Sequence, residues 1–246
     1  MAQETSLYGR DIYGEKKLPQ LLHKLCAIQG IEWIRILYCY PEEITDELIE
    51  TIKTEPKICH YIDMPIQHAS DTILKKMGRR TTNADLRKII SKLRTEIPDI
   101  ALRTTLITGF PGESDEDHNI LMDFIDEMEF DRLGVFTYSP EEDTPAAAME
   151  EQVPEEVAEK RRDEIMQIQQ KIAFEKTSAQ IGRALEVMVE GALPEDGVYI
   201  TRTYMDAPEV DGYVFVATDW NLMSGDFLNV KITGADEYDL IGEVIE

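Results

Sequence analysis

Four short apolar, β-branched runs, at 31–38 (IEWIRILY), 58–64 (ICHYIDM), 100–107 (IALRTTLI) and 132–138 (RLGVFTY), alternate along the chain with segments of helical period. Nothing else in the sequence constrains the fold as much. Strands that alternate with helices imply a parallel sheet joined by right-handed crossovers. The helices are expected at 18–28, 45–53, Asp71–Lys76 and Asn83–Glu96, and after Ser114. Leu18, Leu21, Leu22, Leu25 and Ile28 share one face of the first, and Thr45 can cap the second. The polar residues before Leu7 read as the clipped end of a further strand, with Met1 starting inside a longer protein. Periodicity alone does not say whether the sheet closes into a barrel.

The unit at 103–117 (RTTLITGFPGESDED) shows how the repeat is built. An apolar strand meets the Gly109-Phe110-Pro111-Gly112 turn, and Ser114 then opens a helix. The helix follows because Ile120, Leu121, Phe124, Ile125 and Met128 recur at helical spacing. Asp115, Glu116 and Asp117 suit its positive end. In such folds ligands sit at the carboxyl ends of the strands. Each strand end here carries polar or small residues, among them Gln3-Glu4-Thr5, Tyr38 to Pro41, Asp63 to His68, Arg103 to Thr105, Gly109 to Glu113 and Tyr138 to Pro140. Gln67 can read an amide or hydroxyl edge, Arg103 can pair with a carboxylate, and Gly109 and Gly112 would let a flat ring approach. No nucleophile–base pair stands out, and both a Walker loop and a dinucleotide fingerprint are absent.

Cys26, Cys39 and Cys59 are widely spaced and form no CxxC pair, which argues against a disulfide scaffold and for a reducing, cytoplasmic setting. With His23, His60, His68 and His118 equally scattered, no metal site is expected. No apolar run is long enough to cross a bilayer, and the first residues have no signal-peptide pattern. The net charge of −24 disfavours nucleic acid and anionic membranes as partners.

After Pro154 a polar helix is expected over 155–180, with Val157, Ile165, Ile168, Ile172 and Ala179 as a narrow apolar stripe for packing or connection. Beyond Gly182, Leu185, Val187 and Val189 alternate, as do Leu228, Val230 and Ile232, between regularly spaced glycines. That pattern predicts a small antiparallel β-barrel. Residues 181–246 hold three basic residues against fourteen acids, a net −11. Phosphate binding is therefore disfavoured, and a basic protein is the expected partner. The expected organisation is an α/β domain over 1–150, a connecting helix over 151–182 and a β-barrel over 183–246.

The segments AQETSLYGRDIYG, LYCYPEEITDELIE, PKICHYIDMPIQHASDTILKKMGRRTT, RTTLITGFPGESDED, FDRLGVFTYSPEEDTPAA and APEVDG together resemble the radical S-adenosylmethionine methylthiotransferases. Within them the chain is most similar to the RimO branch, which modifies an aspartate of a basic small-subunit ribosomal protein. The resemblance implies a partial, TIM-like radical-SAM barrel followed by an OB-like TRAM barrel. It implies S-adenosylmethionine as cofactor, together with two 4Fe–4S clusters in the intact protein. The CxxxCxxC motif of the family would precede Gln3, and none of the three cysteines takes its place, so no catalytic residue and no metal ligand is assigned here and the chain alone is expected to be inactive. Gln3, Glu4, Gln67, Arg103, Gly109 and Glu113 fall in family motifs near the cofactor. The implied chemistry uses one cofactor molecule as methyl donor and a second as source of a 5′-deoxyadenosyl radical that attacks the aspartate β-carbon. Two alternatives remain open: a MiaB-like tRNA methylthiotransferase and a protein-binding module without chemistry.

Overall fold

A computed structural model of the chain describes residues 4–193 and 197–245. Gln3, one of the expected cofactor residues, lies outside the described residues. The chain divides between Gln170 and Lys171 into two compact units.

In the first unit a 3-10 turn at Thr5–Leu7 leads into α1 (Arg10–Tyr13) and α2 (Leu18–Cys26). There follow β1 (Ile34–Ile36), α3 (Asp46–Thr54), β2 (Ile58–Asp63), α4 (Asp71–Lys76), α5 (Asn83–Glu96), β3 (Ala101–Thr108), α6 (Asp115–Met128) and β4 (Arg132–Thr137). The four strands are parallel and lie in the order β1-β2-β3-β4. Sequential order with right-handed crossovers places every helix on the same face, which is the winding of a barrel and not of a doubly wound sheet. Burial along β3 agrees: Leu102, Thr104, Leu106 and Thr108 are fully buried, while Arg103, Thr105 and Ile107 between them are only half-buried. The sheet is thus an incomplete TIM-like barrel with one face packed by helices and the other open.

The helices start where the sequence places their caps. The Thr45 hydroxyl accepts from the Leu48 amide at 3.2 Å. Ser114 and Asp117 form a reciprocal capping box at α6, and Thr82 and Asp85 form another at α5. The expected strand at 31–38 shrinks to three residues. Its register against β2 shifts between Ile34 and Ile36, and Tyr38 turns into the left-handed region at φ 63°.

The division between the units falls within α7 (Glu155–Ser178). The second unit continues through β5 (Ala184–Leu193), β6 (Val198–Thr203), β7 (Val214–Ala217), β8 (Phe227–Asp236) and β9 (Asp239–Val244), which close into a barrel of order β5-β6-β7-β9-β8. Its core is Leu185, Val187, Val189, Val214, Val216, Leu228, Val230, Ile232 and Leu240. The expectation of a wholly antiparallel barrel is corrected here: β7 and β9 run parallel. Five is an odd number, and strands of alternating direction cannot close a ring of five without one parallel pair.

Candidate functional site

The carboxyl ends of the four strands form a single edge, because the backbone ladder continues past the strands themselves. Thr5 N donates to Tyr38 O (3.0 Å), Cys39 N to Asp63 O (2.8 Å) and Met64 N to Arg103 O (2.8 Å). Gln67 then bridges to β3 through Thr105 O and Ile107 N, and Tyr138 N bonds Thr108 O at 2.8 Å. Polar residues far apart in sequence are thereby brought side by side.

Glu4 anchors the first of these ends. Its carboxylate accepts from the Ser6 amide (2.9 Å) and the Tyr40 amide (3.0 Å), while the Thr5 hydroxyl donates to Leu37 O at 2.6 Å. Glu4 therefore ties residues 4–6 to the end of β1.

Asp63 is the hub of the next two ends. It is nearly buried, pairs with Arg103 Nη1 at 3.0 Å and accepts the strained Tyr38 amide at 3.3 Å. Arg103 was expected to meet a carboxylate, and the carboxylate it meets belongs to the protein. Beside this hub, Cys39 is fully buried and its thiol is pushed up to about 12 by burial and then by Glu4 and Asp63. It stays protonated at neutral pH.

Gln67 sits at φ 70°, and its Oε1 is buried without a hydrogen-bond partner. Arg79 matches it as a donor. Its Nη2 donates to Pro65 O at 2.8 Å, its guanidinium lies 4.4 Å from the centre of the Tyr40 ring, and its Nη1 is buried without a partner. Nothing in the sequence sets Arg79 apart from its basic neighbours Lys75, Lys76 and Arg80. The missed signal is position: Arg79 follows the end of the short α4 closely, within reach of the loop after β2.

Gly109 and Glu113 are both engaged by α7. Gly109 adopts φ +74°, and a Cβ there would lie 2.3 Å from the Ala158 Cβ, so α7 and not a ligand fills the space. Glu113 is buried. One carboxylate oxygen accepts from Gly109 N (2.7 Å) and Phe110 N (3.2 Å), the other from Arg161 (3.1 Å). Arg161 also donates to Asp115 at 2.7 Å, and Thr108 Oγ1 bonds Ala158 O at 3.0 Å. Both residues therefore brace the turn after β3 against α7. His68 lies beside this brace, fully buried, with Nδ1 accepting from Ser70 N at 2.9 Å. Burial lowers its pKa to about 4, so the 3.8 Å approach to Glu113 is that of a neutral ring and not an ion pair.

The strand ends form an open shelf. One cavity of about 660 Å³ reaches the shelf at Glu4 and Thr5, with Arg10 and Asp11 and the apolar Leu7, Tyr8, Ile12, Leu18 and Leu21 among its other walls. Another of about 650 Å³ lies at the start of α6, near Ser70, Asn83 and Asp117.

The donors and acceptors fit S-adenosylmethionine in kind: an orphaned amide carbonyl suits its amino or hydroxyl groups, and an orphaned guanidinium donor suits its carboxylate. An iron–sulfur cluster fits nowhere among the described residues, where no three His, Cys, Asp or Glu side chains are grouped to hold a metal.

Comparison with known proteins yields two sequence families. The radical SAM superfamily matches residues 2–125, and the TRAM domain matches residues 181–245. The chain is 65% identical over 242 residues to the ribosomal protein uS12 methylthiotransferase RimO of Lachnoclostridium phytofermentans, covering 98% of this chain and 55% of the relative. It is 52% identical over 246 residues to the protein of the same description from Desulfitobacterium hafniense, covering 100% of this chain and again 55% of the relative. The chain thus spans about half the length of the curated relatives it matches. Among solved structures, the coproporphyrinogen III oxidase HemN of Escherichia coli, described as a radical SAM enzyme, aligns with a TM-score of 0.47 at 18% identity. That alignment covers 88% of this chain and 50% of the other.

Proposed function

The chain belongs to the radical SAM superfamily, and from that premise we propose that it is part of an enzyme that transfers a methylthio group to an aspartate of ribosomal protein uS12. One observation carries the reading: 65% identity to a uS12 methylthiotransferase along nearly the whole chain. Cofactor binding falls to the shelf. Gln67 accepts from the cofactor's amino or hydroxyl groups, and Arg79 donates to its carboxylate. The Arg103–Asp63 pair fixes the strand spacing beneath them, and Glu4 holds residues 4–6 over the end of β1. Gly109 and Glu113 contribute indirectly, by fixing the turn after β3. S-adenosylmethionine, when bound, supplies the methyl group and the hydrogen-abstracting equivalent. The protein's part is to orient the target carbon and keep water away from it. The cluster that this chemistry needs is not held by the described residues.

The acidic barrel is the docking module for a basic ribosomal protein. The tRNA-modifying alternative is disfavoured by the same charge, since a net −11 over residues 181–246 repels phosphate. Complementation tests the function. A bacterial strain lacking its own uS12 methylthiotransferase receives the gene for the whole enzyme of which this chain is part, and uS12 peptides are read by mass spectrometry. Return of one methylthio group to a single aspartate is expected; unmodified uS12 together with newly methylthiolated tRNA would overturn the reading.

A further inference from the structure

The acidic barrel carries a surface whose chemistry goes beyond net charge. Residues 203–230, between Arg202 and Lys231, contain no lysine or arginine and five acids. Within that span the loop from Thr218 to Asp226 is held rigidly. The Tyr199 hydroxyl donates to Trp220 O (2.9 Å) and accepts from Leu222 N (3.2 Å). Trp220 N donates to Thr218 Oγ1, Met223 N to Asp226 Oδ2 at 2.7 Å, and Gly225 N to Val189 O at 2.8 Å. Leu222 packs against the barrel core, yet Trp220 and Met223 on either side of it point away, 49% and 70% exposed. A tethered loop that buries one apolar side chain and leaves its two largest neighbours out is not apolar by default. Tryptophan and methionine are enriched at interface cores and are costly to leave in water.

We propose that this loop is the contact point for the basic substrate protein, an inference that rests on the reading above. A lysine or arginine of the partner stacks on the Trp220 indole, its alkyl stem lies along Met223, and its charge is met by Asp219. The indole face attracts a cation, and the exposed Asp219 beside it selects the sign. An RNA base could stack on the same ring, but the loop from Thr218 to Asp226 itself offers phosphates no cation and two carboxylates, Asp219 and Asp226.

The test measures equilibrium binding of fluorescently labelled uS12, and separately of a labelled single-stranded RNA, to the whole protein and its variants. Trp220→Ala is expected to weaken uS12 binding about tenfold, and Asp219→Asn is expected to weaken it less and flatten its salt dependence. Ile241→Ala, at an exposed apolar position on β9, is expected to leave it unchanged. Circular dichroism confirms that each variant stays folded, and Trp220→Phe, which keeps an aromatic face, is expected to retain part of the affinity. Unchanged uS12 affinity in folded Trp220→Ala overturns this inference and leaves the proposed function standing. Failure of the unaltered protein to bind uS12 overturns the proposed function itself. Loss of RNA binding in Trp220→Ala, with uS12 binding intact, assigns the loop to RNA and overturns the inference.

Discussion

At the scale of single residues, the polar side chains that brace the turn after β3 are buried and paired with one another. Arg161 and Glu113 are both nearly inaccessible, so removing Arg161 leaves the buried Glu113 carboxylate with only the Gly109 and Phe110 amides and no cation. Arg161→Met is expected to cost about 3–5 kcal/mol, read from the urea midpoint. His68 gives a pH signature. Its folded pKa of about 4 lies below the ordinary 6.5, so between those values the unfolded chain binds a proton that the folded chain refuses. The stability this residue contributes is present above pH 6.5 and is lost as pH falls toward 4, by up to about 3 kcal/mol. Urea unfolding across that window should show a shallower decline in His68→Asn than in the unaltered protein. Such roles are hard to read from sequence. Arg161 and Gln169 occupy the buried stripe of α7 with Ala158 and Ile165, while Val157 is substantially exposed. A search for apolar periodicity passes over a stripe whose burial depends on partners elsewhere in the chain, here Glu113 and the Phe130 carbonyl.

At the scale of elements, the sequence was legible wherever local chemistry decides. The α4 and α5 bounds match the expected Asp71–Lys76 and Asn83–Glu96, and Ser114 caps α6 as expected. Legibility fails where tertiary contacts decide. The first strand is cut short by a register shift and a left-handed Tyr38, neither of which hydrophobicity encodes. Gly109 is the clearest case, because a glycine that spares room for a ligand and one that spares room for a helix look alike in sequence. Gly109→Ala is expected to destabilise the protein by at least about 1–2 kcal/mol through both the positive φ and the clash with Ala158. Adding Ala158→Gly should relieve the clash but not the backbone strain, so thermal unfolding of the double variant is expected to recover only part of the loss.

At the scale of the whole molecule, two architectures divide the work: an open, helix-backed parallel sheet whose strand ends form a shelf, and a closed five-stranded barrel with a strong negative charge. The alternation of periods announced the first and the short β-alternation the second, but the parallel β7–β9 pair follows only from closure of an odd-numbered ring. The shelf should bind cofactor separately from partner docking. Gln67→Ala and Arg79→Ala are therefore expected to weaken S-adenosylmethionine binding in calorimetric titration while leaving uS12 affinity unchanged. Docking through a negatively charged barrel is expected to weaken as salt rises. The central claim, that the molecule is built to recognise a basic protein and not RNA, is tested most directly by competition. With labelled uS12 bound to the whole protein, unlabelled uS12 should displace it and an equal concentration of tRNA should not; displacement by tRNA at that concentration would contradict the account.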